Sequence, residues 1–209
     1  MSAVAHIKEY KKGKFYTDEF RGDISWNGYE RNVLLRNEGR DPAGTLRFTE
    51  IASALGADDE RDGRGMAIAD FDNDGDLDIV INNNPGDNGI ESRARATLLR
   101  NNVGERRNWI AFELNGSRSN RDAVGAVVAI EAAGRKQVRY VAAGSGYASQ
   151  NTSRLCFGLA GAAEVDAVTV TWPSGVVDRF SSVKSNQLIQ VTEGGGMAVA
   201  PLRAKGASM

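Results

Sequence analysis

Histidine and cysteine, the residues behind the commonest catalytic and crosslinking chemistries, are almost absent from this sequence. Its 209 residues include one cysteine, Cys156, and one histidine, His6. A single cysteine cannot form an internal disulfide framework. A lone histidine in a polar segment with no recognisable partner excludes a His-dependent catalytic triad. The sequence therefore predicts a non-catalytic protein that is held together by its core, a metal ion or a partner.

Long hydrophobic runs are absent as well. The longest apolar stretches, such as residues 123–130, have the length of a strand, whereas a membrane-spanning helix needs about 20 consecutive apolar residues. Residues 1–12 carry positive charge but lack the apolar stretch of about 7 to 15 residues found in a conventional secretion signal. We therefore expect a chain that does not span a membrane. Its 24 glycines indicate frequent turns and favour short strands.

The formal net charge of −1 conceals a strong asymmetry along the chain. Residues 58–91 contain eleven acidic side chains and only two arginines, which gives this segment a charge of −9 and the remainder +8. Acidic groups packed this densely repel one another unless a cation lies among them. The positive charges elsewhere are scattered without interleaved aromatics, so the sequence predicts no nucleic-acid binding.

Within the acidic segment, five aspartates alternate with other residues over nine positions, and Gly75 occupies the sixth position. Ca²⁺ prefers six to eight oxygen ligands at about 2.3 to 2.6 Å, and alternate side chains of a tight turn can point inward at that distance. Glycine permits the sharp bend, and the seventh position is expected to contribute its backbone carbonyl. The predicted calcium ligands are Asp70, Asp72, Asp74, Asp76 and Asp78.

This loop differs from an EF-hand, because Ile81 stands where an EF-hand has its twelfth-position glutamate. The flanking segments are strand-like, which places the loop in a β-hairpin turn. Mg²⁺ is a poorer match for the loop, since it retains its waters and requires strict octahedral geometry. The remaining alternative is a solvated acidic turn without a metal ion.

A weak internal repeat precedes and follows the loop. Leu34-Leu35-Arg36-Asn37 recurs 64 residues later as Leu98-Leu99-Arg100-Asn101, a unit typical of a β-propeller blade. One unit cannot close a propeller ring, so its strand edges need to be covered in another way. Beyond Asn108, apolar or alternating segments between glycines predict a sandwich or barrel. The predicted strands are 109–114, 123–132, 137–142, 154–158, 167–172 and 187–191.

The two ends of the chain differ from its middle. Residues 1–31 are polar and contain six aromatics, which is typical of an arm that lies on the body of the protein or on another subunit. Residues 194–209 contain glycines and small side chains, and we expect them to form a flexible tail. Trp172 is expected in the core, with an exposed ligand platform as the alternative.

Residues Gly65–Ile79 resemble the FG-GAP/VCBS repeat, which combines a Leu-x-Arg-Asn strand with the loop pattern Gly-x-Ala-x-x-Asp-x-Asp-x-Asp-Gly-x-x-Asp. The second half resembles the ASPIC/UnbV domain that follows such repeats in the cartilage acidic protein-like bacterial family. The segments that carry this resemblance are Ser119–Ala126, Gly144–Gln150, Phe157–Leu159 and Val170–Gly175. The resemblance implies calcium binding at the five aspartates, a β architecture, a task in adhesion or assembly, and an extracytoplasmic location.

We therefore predict an all-β protein in which a single calcium-binding, propeller-type repeat packs beside a sandwich- or barrel-like ASPIC/UnbV domain, with extended termini. The predicted parts are an arm at 1–31, the repeat at 32–107, the ASPIC/UnbV-like domain at 108–193 and a tail at 194–209.

The predicted function is that of a calcium-binding accessory subunit, which stabilises a larger protein assembly through protein–protein contacts, including an assembly embedded in a membrane. Two alternatives stay open. The first is a free-standing adhesion or carbohydrate-binding module. The second is a calcium-assisted lyase or cyclase, in which the ion polarises a substrate oxygen.

Overall fold

A computed structural model of the chain describes residues 31–61, 63–83, 96–104 and 107–201. In these ranges, thirteen β-strands make up nearly all of the regular structure, and the helix found there is a single turn. The predicted all-β fold is therefore confirmed. The chain divides into two compact units. One holds the described residues up to Gly65 and from Ile81 to Leu99, and the other holds Met66–Val80 and the described residues from Arg100 onward.

The first unit begins with an antiparallel hairpin of β1, Leu35–Arg40, and β2, Leu46–Glu50. The carboxylate of Asp41 shapes its turn by accepting the N–H groups of Ala43 and Thr45 at 3.0 and 2.9 Å. Every residue of both strands is exposed, so the hairpin has no buried face within this unit. The one-turn helix α1, Ala52–Leu55, follows it.

A three-stranded sheet has the order β3-β4-β5. Its strands are β3, Gly63–Ala69, β4, Asp78–Asn83, and β5, Thr97–Leu99. The acidic loop joins β3 to β4, which confirms the predicted strand–loop–strand arrangement. The division between the two units passes through both strands, so the loop belongs to the second unit.

The second unit contains two four-stranded sheets, with strand orders β11-β10-β7-β8 and β13-β12-β6-β9. Neighbouring strands are antiparallel except for β6 and β12, which are parallel. The strands are β6, Asn108–Asn115, β7, Val127–Ala132, β8, Arg135–Tyr140, β9, Leu155–Ala160, β10, Glu164–Thr171, β11, Val177–Lys184, β12, Gln187–Thr192, and β13, Gly196–Ala200.

Alternating side chains from both sheets form one hydrophobic core, so the second unit is a β-sandwich, which is one of the two architectures predicted from the sequence. Phe112 on β6 and Phe157 on β9 meet edge to face at a centroid distance of 5.8 Å. Trp172 is buried in the same core, and its Nε1 donates a hydrogen bond of 2.8 Å to Asp178. The core location predicted for Trp172 is confirmed.

Two strands of this sandwich, β11 and β13, were not predicted from the sequence. The tail prediction for 194–209 is wrong over Gly196–Ala200, which forms β13 and pairs with β12 along five residues. Gly194 and Gly196 adopt positive φ angles of 64° and 101°, which lets the chain reverse after β12. Residues 1–30, which contain nearly all of the predicted arm, lie outside the described ranges.

One open edge of the sandwich is sealed by side chains. Gln137 and Arg139 of β8 donate hydrogen bonds of 2.8 and 2.6 Å to the carbonyls of Gly158 and Cys156 on β9. The Arg139 guanidinium also lies 5.2 Å from the centroid of the Phe157 ring. These contacts occupy carbonyls that an unprotected edge strand would offer to another chain. No helix in the described ranges is long and apolar enough to cross a membrane.

Candidate metal centre

The acidic loop brings three carboxylates together. Asp70, Asp72 and Asp78 each offer one oxygen, and these oxygens lie within 4.8 Å of one another. Asn73 and Gly75 have positive φ angles of 57° and 99°, which produce the tight turn between Asp72 and Asp78. The loop conformation therefore depends on two residue types that tolerate left-handed backbone.

Backbone donors hold two of these carboxylates in place. Asp70 accepts the N–H groups of Asp74 and Gly75, both at 3.1 Å. Asp78 accepts the N–H of Phe71 at 3.0 Å and that of Asn101 at 2.9 Å. Both carboxylates are buried, so these bonds fix their orientation before any ligand arrives.

Asp72 is held differently. Its Oδ1 is buried and accepts no hydrogen bond from the described residues, while its Oδ2 lies 2.6 Å from Nη2 of Arg100. A buried carboxylate oxygen without a hydrogen-bond donor is costly. A cation beside the three grouped carboxylates would compensate that cost, so the residues present fit a metal ion.

The other two predicted ligands lie outside this group of three. Asp74 Oδ1 accepts the N–H of Asp76 at 3.2 Å, and the Asp74 side chain is 2% exposed. Asp76 is buried against Gly104, where an added Cβ would lie 2.4 Å from the Cβ of Asp76. These contacts position Asp76, the seventh residue of the loop, whose backbone carbonyl is the predicted calcium ligand.

Arg154 attaches the loop to the sandwich. One end of its guanidinium lies 3.0 Å from Asn73 Oδ1 and 3.8 Å from Asp70 Oδ2. The other end donates to Oε1 of Glu113 on β6 at 3.0 Å. Its side chain is only 18% exposed, so solvent screens these ion pairs weakly.

Burial raises the pKa of the Asp70 carboxyl, against the lowering effect of hydrogen bonds from the Gly75 and Asp74 N–H groups and of the nearby Arg154 charge. The Asp74 carboxylate adds to the increase. The direction shows that the protein alone does not fully stabilise the ionised form of Asp70. A divalent cation would favour that ionised form.

Trp109 of β6 packs directly on the loop. A Cβ at Gly75 would lie 1.9 Å from its Nε1, so only glycine fits beneath the indole. Sequence reasoning found Gly75 through its turn but missed this second requirement. It also missed Arg100 and Asn101, although the repeated Leu-Leu-Arg-Asn motif marks both, and it missed Arg154, for which the sequence offers no local signal.

Glu193 is a buried carboxylate outside the loop, and it contrasts with Asp72 because the protein satisfies it completely. Glu193, which is 4% exposed, accepts N–H groups of Ser117, Arg118 and Ser119 at 2.7 to 2.8 Å, together with the hydroxyls of Ser119 and Ser174. Burial alone would raise its pKa, but these hydrogen bonds, led by that of the Ser119 N–H, lower the pKa to about 2. Glu193 therefore has a structural role, whereas Asp72 retains an oxygen that accepts no hydrogen bond from the described residues.

Comparison with known proteins identifies the two families that the sequence motifs resemble. The FG-GAP-like repeat model matches residues 21–81, and the ASPIC and UnbV model matches residues 116–198. Cartilage acidic protein 1 of Mus musculus is 31% identical over 177 residues, covering 83% of this chain and 26% of the relative. The Homo sapiens protein is 30% identical over 176 residues, covering 82% of this chain and 25% of the relative.

This chain thus spans about a quarter of the length of the curated relatives that it matches. The two matched models follow one another in the order that the motifs predicted. The chain contains an FG-GAP-like repeat followed by an ASPIC and UnbV domain.

Proposed function

We propose that this chain is a non-catalytic interaction module whose acidic loop binds one Ca²⁺ ion. The observation that carries the proposal is the convergence of Asp70, Asp72 and Asp78 on one point of the loop. In this proposal the Asp74 side chain and the Asp76 carbonyl complete the set of ligands. A set made only of oxygens, in a loop rather than a rigid octahedral cage, suits Ca²⁺ better than Mg²⁺ or a transition metal.

Calcium is proposed to act on stability rather than on chemistry. A site that exists only in the folded protein stabilises it by RT ln(1 + [L]/Kd), which is about 2.7 kcal/mol at a hundredfold excess over Kd. Trp109 and Arg154 join the loop to β6, and Asn101 joins it to the segment after β5. The gain is therefore expected in the unfolding of the sandwich as well as of the loop.

Replacing Asp72 by Asn tests the site. The amide removes one negative charge and one metal-binding oxygen, so we expect calorimetric titration to show calcium affinity at least about tenfold weaker. Asp166→Asn is the matched control, because Asp166 is an exposed residue on β10 of the same unit. Equal calcium affinity in Asp72→Asn and the wild type would contradict calcium binding at this site.

The proposed partner is protein, within a larger assembly that can include membrane-embedded subunits. Support comes from the outer face of the β11-β10-β7-β8 sheet. Cross-strand pairing places Tyr140 beside Val127, Val127 beside Thr171, and Thr171 beside Val177. Tyr140 and Val138 are 68% and 55% exposed. This row of β-branched and aromatic side chains is uncharged, whereas the neighbouring rows of the same face also contain Arg179 and the Lys136–Glu131 pair. Exposed apolar and aromatic side chains grouped in this way are typical of an interaction site.

Val138→Lys tests this surface in the native complex. We expect the charge to abolish stoichiometric co-purification of partner subunits with the tagged chain, because an unpaired lysine in a buried contact is costly. Arg135→Glu, on the same strand and also exposed, is the control. If the Val138→Lys protein retains its partners at wild-type stoichiometry, this face is not the contact surface.

A further inference from the structure

The Arg100 guanidinium bridges two carboxylates of the acidic loop. Its Nη2 lies 2.6 Å from Asp72 Oδ2 and 3.5 Å from Asp74 Oδ2. Arg100 follows β5 directly and belongs to the same compact unit as the loop. A positive side chain therefore contacts two of the five predicted calcium ligands.

These contacts compete with metal binding. A carboxylate oxygen that pairs with a guanidinium at 2.6 Å has less electron density to offer a cation, and the arginine charge repels Ca²⁺ directly. In the absence of calcium, the same charge offsets the mutual repulsion of the aspartates. Arg100 is thus favourable in one state of the loop and unfavourable in the other.

Arg154 differs from Arg100 in its surroundings. Arg154 is mostly buried, lies 3.8 Å from Asp70, and is anchored by Glu113 and Asn73. The Arg100 side chain is 50% exposed, so it can withdraw into solvent without leaving a buried charge behind. We expect Arg154 to remain in place when an ion binds and Arg100 to move.

We infer that Arg100 is a tethered counter-cation, which holds the acidic loop together without calcium and is displaced from Asp72 and Asp74 when the ion binds. Arg100 thereby lowers the calcium affinity of the site and sets the concentration at which it fills. This inference rests on the proposed calcium site.

The test is calcium affinity by calorimetry in Arg100→Met, which removes the charge and keeps most of the side-chain length. We expect Arg100→Met to bind calcium about tenfold more tightly than the wild type does. This factor corresponds to the repulsion that is lost when one positive charge about 6 Å from a divalent ion is removed, at the dielectric constant of water. Thermal unfolding in chelator should move to lower temperature, so the calcium-induced shift in Tm becomes larger.

Arg36→Met is the control, since Arg36 holds the equivalent place in the first copy of the repeat and pairs with Glu38 at 2.7 Å. Its calcium affinity should match that of the wild type. Arg100→Lys keeps the charge and should bind calcium within about threefold of the wild-type affinity, because the Coulomb repulsion persists. Circular dichroism checks that each variant is folded.

Three results would overturn the inference. Unchanged or weaker calcium binding by Arg100→Met, with normal binding by the wild type, would make Arg100 a group that orients ligands. Equal tightening in Arg100→Lys and Arg100→Met would show that charge is not the cause. If neither the wild type nor Arg36→Met binds calcium, the proposed site itself fails, and the inference fails with it.

Discussion

Glycine at position 75 meets two independent requirements of the loop. Its φ of +99° is unfavourable for residues with a Cβ, and the Trp109 indole fills the space that a Cβ would need. The first requirement is visible in the sequence because it belongs to the turn. The second depends on a tryptophan that stands 34 positions away in the chain, and only the folded structure reveals it.

Gly75→Ala should therefore destabilise the protein more than backbone strain alone explains. We expect a loss of about 2 kcal/mol or more in urea unfolding, together with weaker calcium binding, because the alanine must displace Trp109 or distort the turn. Gly134→Ala is the control: its φ is +71°, and no atom of the described residues lies within 4 Å of the added Cβ. That variant should lose about 1 kcal/mol. Equal losses would contradict a role for the indole contact.

The hydrogen bonds of Glu193 predict that the stability of the ASPIC and UnbV domain depends on pH. Its pKa falls from 4.5 to about 2 on folding, so the folded state binds this proton less readily than the unfolded chain does. The carboxylate therefore contributes its full stabilisation above about pH 4.5, and the contribution is lost as the pH falls from there toward 2.

Glu193→Gln should lower Tm at pH 7 by about 5 °C or more, since a neutral amide cannot accept all of these hydrogen bonds. The difference in Tm between this variant and the wild type should shrink as the pH falls from 4.5 toward 2. Glu164→Gln, at an exposed position on β10, is the control. A pH-independent difference would assign the loss to packing instead of charge.

At the scale of elements, local patterns predicted most of the fold. Apolar or alternating segments marked β6, β7, β8, β9, β10 and β12, and the aspartate spacing marked the turn between β3 and β4. The sequence of β11, VDRFSSVK, is mostly polar because that strand lies at a sheet edge, so its pattern resembles a loop. Strand β13 was missed because its small residues gain their stability from pairing with β12 rather than from side-chain burial.

Long-range contacts around the site could not be predicted in the same way. Arg154 and Glu113 are 41 residues apart, and one arginine among many carries no mark of its partner. A role for Asn101 could have been predicted from the sequence, because Asn101 occupies the position of Asn37 in the second copy of the repeated motif. Both asparagines accept the N–H two residues ahead, from Gly39 and from Val103. The repeat therefore has a structural counterpart at its turns.

On the scale of the whole molecule, the acidic loop lies in the same compact unit as the β-sandwich. Arg154, Trp109 and Asn101 make the contacts that attach it there. Further support comes from the strand before the loop, where Ile68 exchanges hydrogen bonds with the segment leading into β9, donating to Asn151 at 3.0 Å and accepting from Thr152 at 2.9 Å. An ion in the loop would thus stabilise a region that extends beyond the repeat that supplies its ligands.

The most direct measurement is thermal unfolding of the metal-free wild-type protein across a calcium titration, with the bound ion counted by calorimetry. We expect one Ca²⁺ per chain and a Tm that rises steadily with calcium concentration above Kd, following the logarithmic dependence of a single linked site. Chelator should reverse the rise. A Tm that is constant from zero to millimolar calcium, in a protein that is folded throughout, would contradict a calcium-stabilised module.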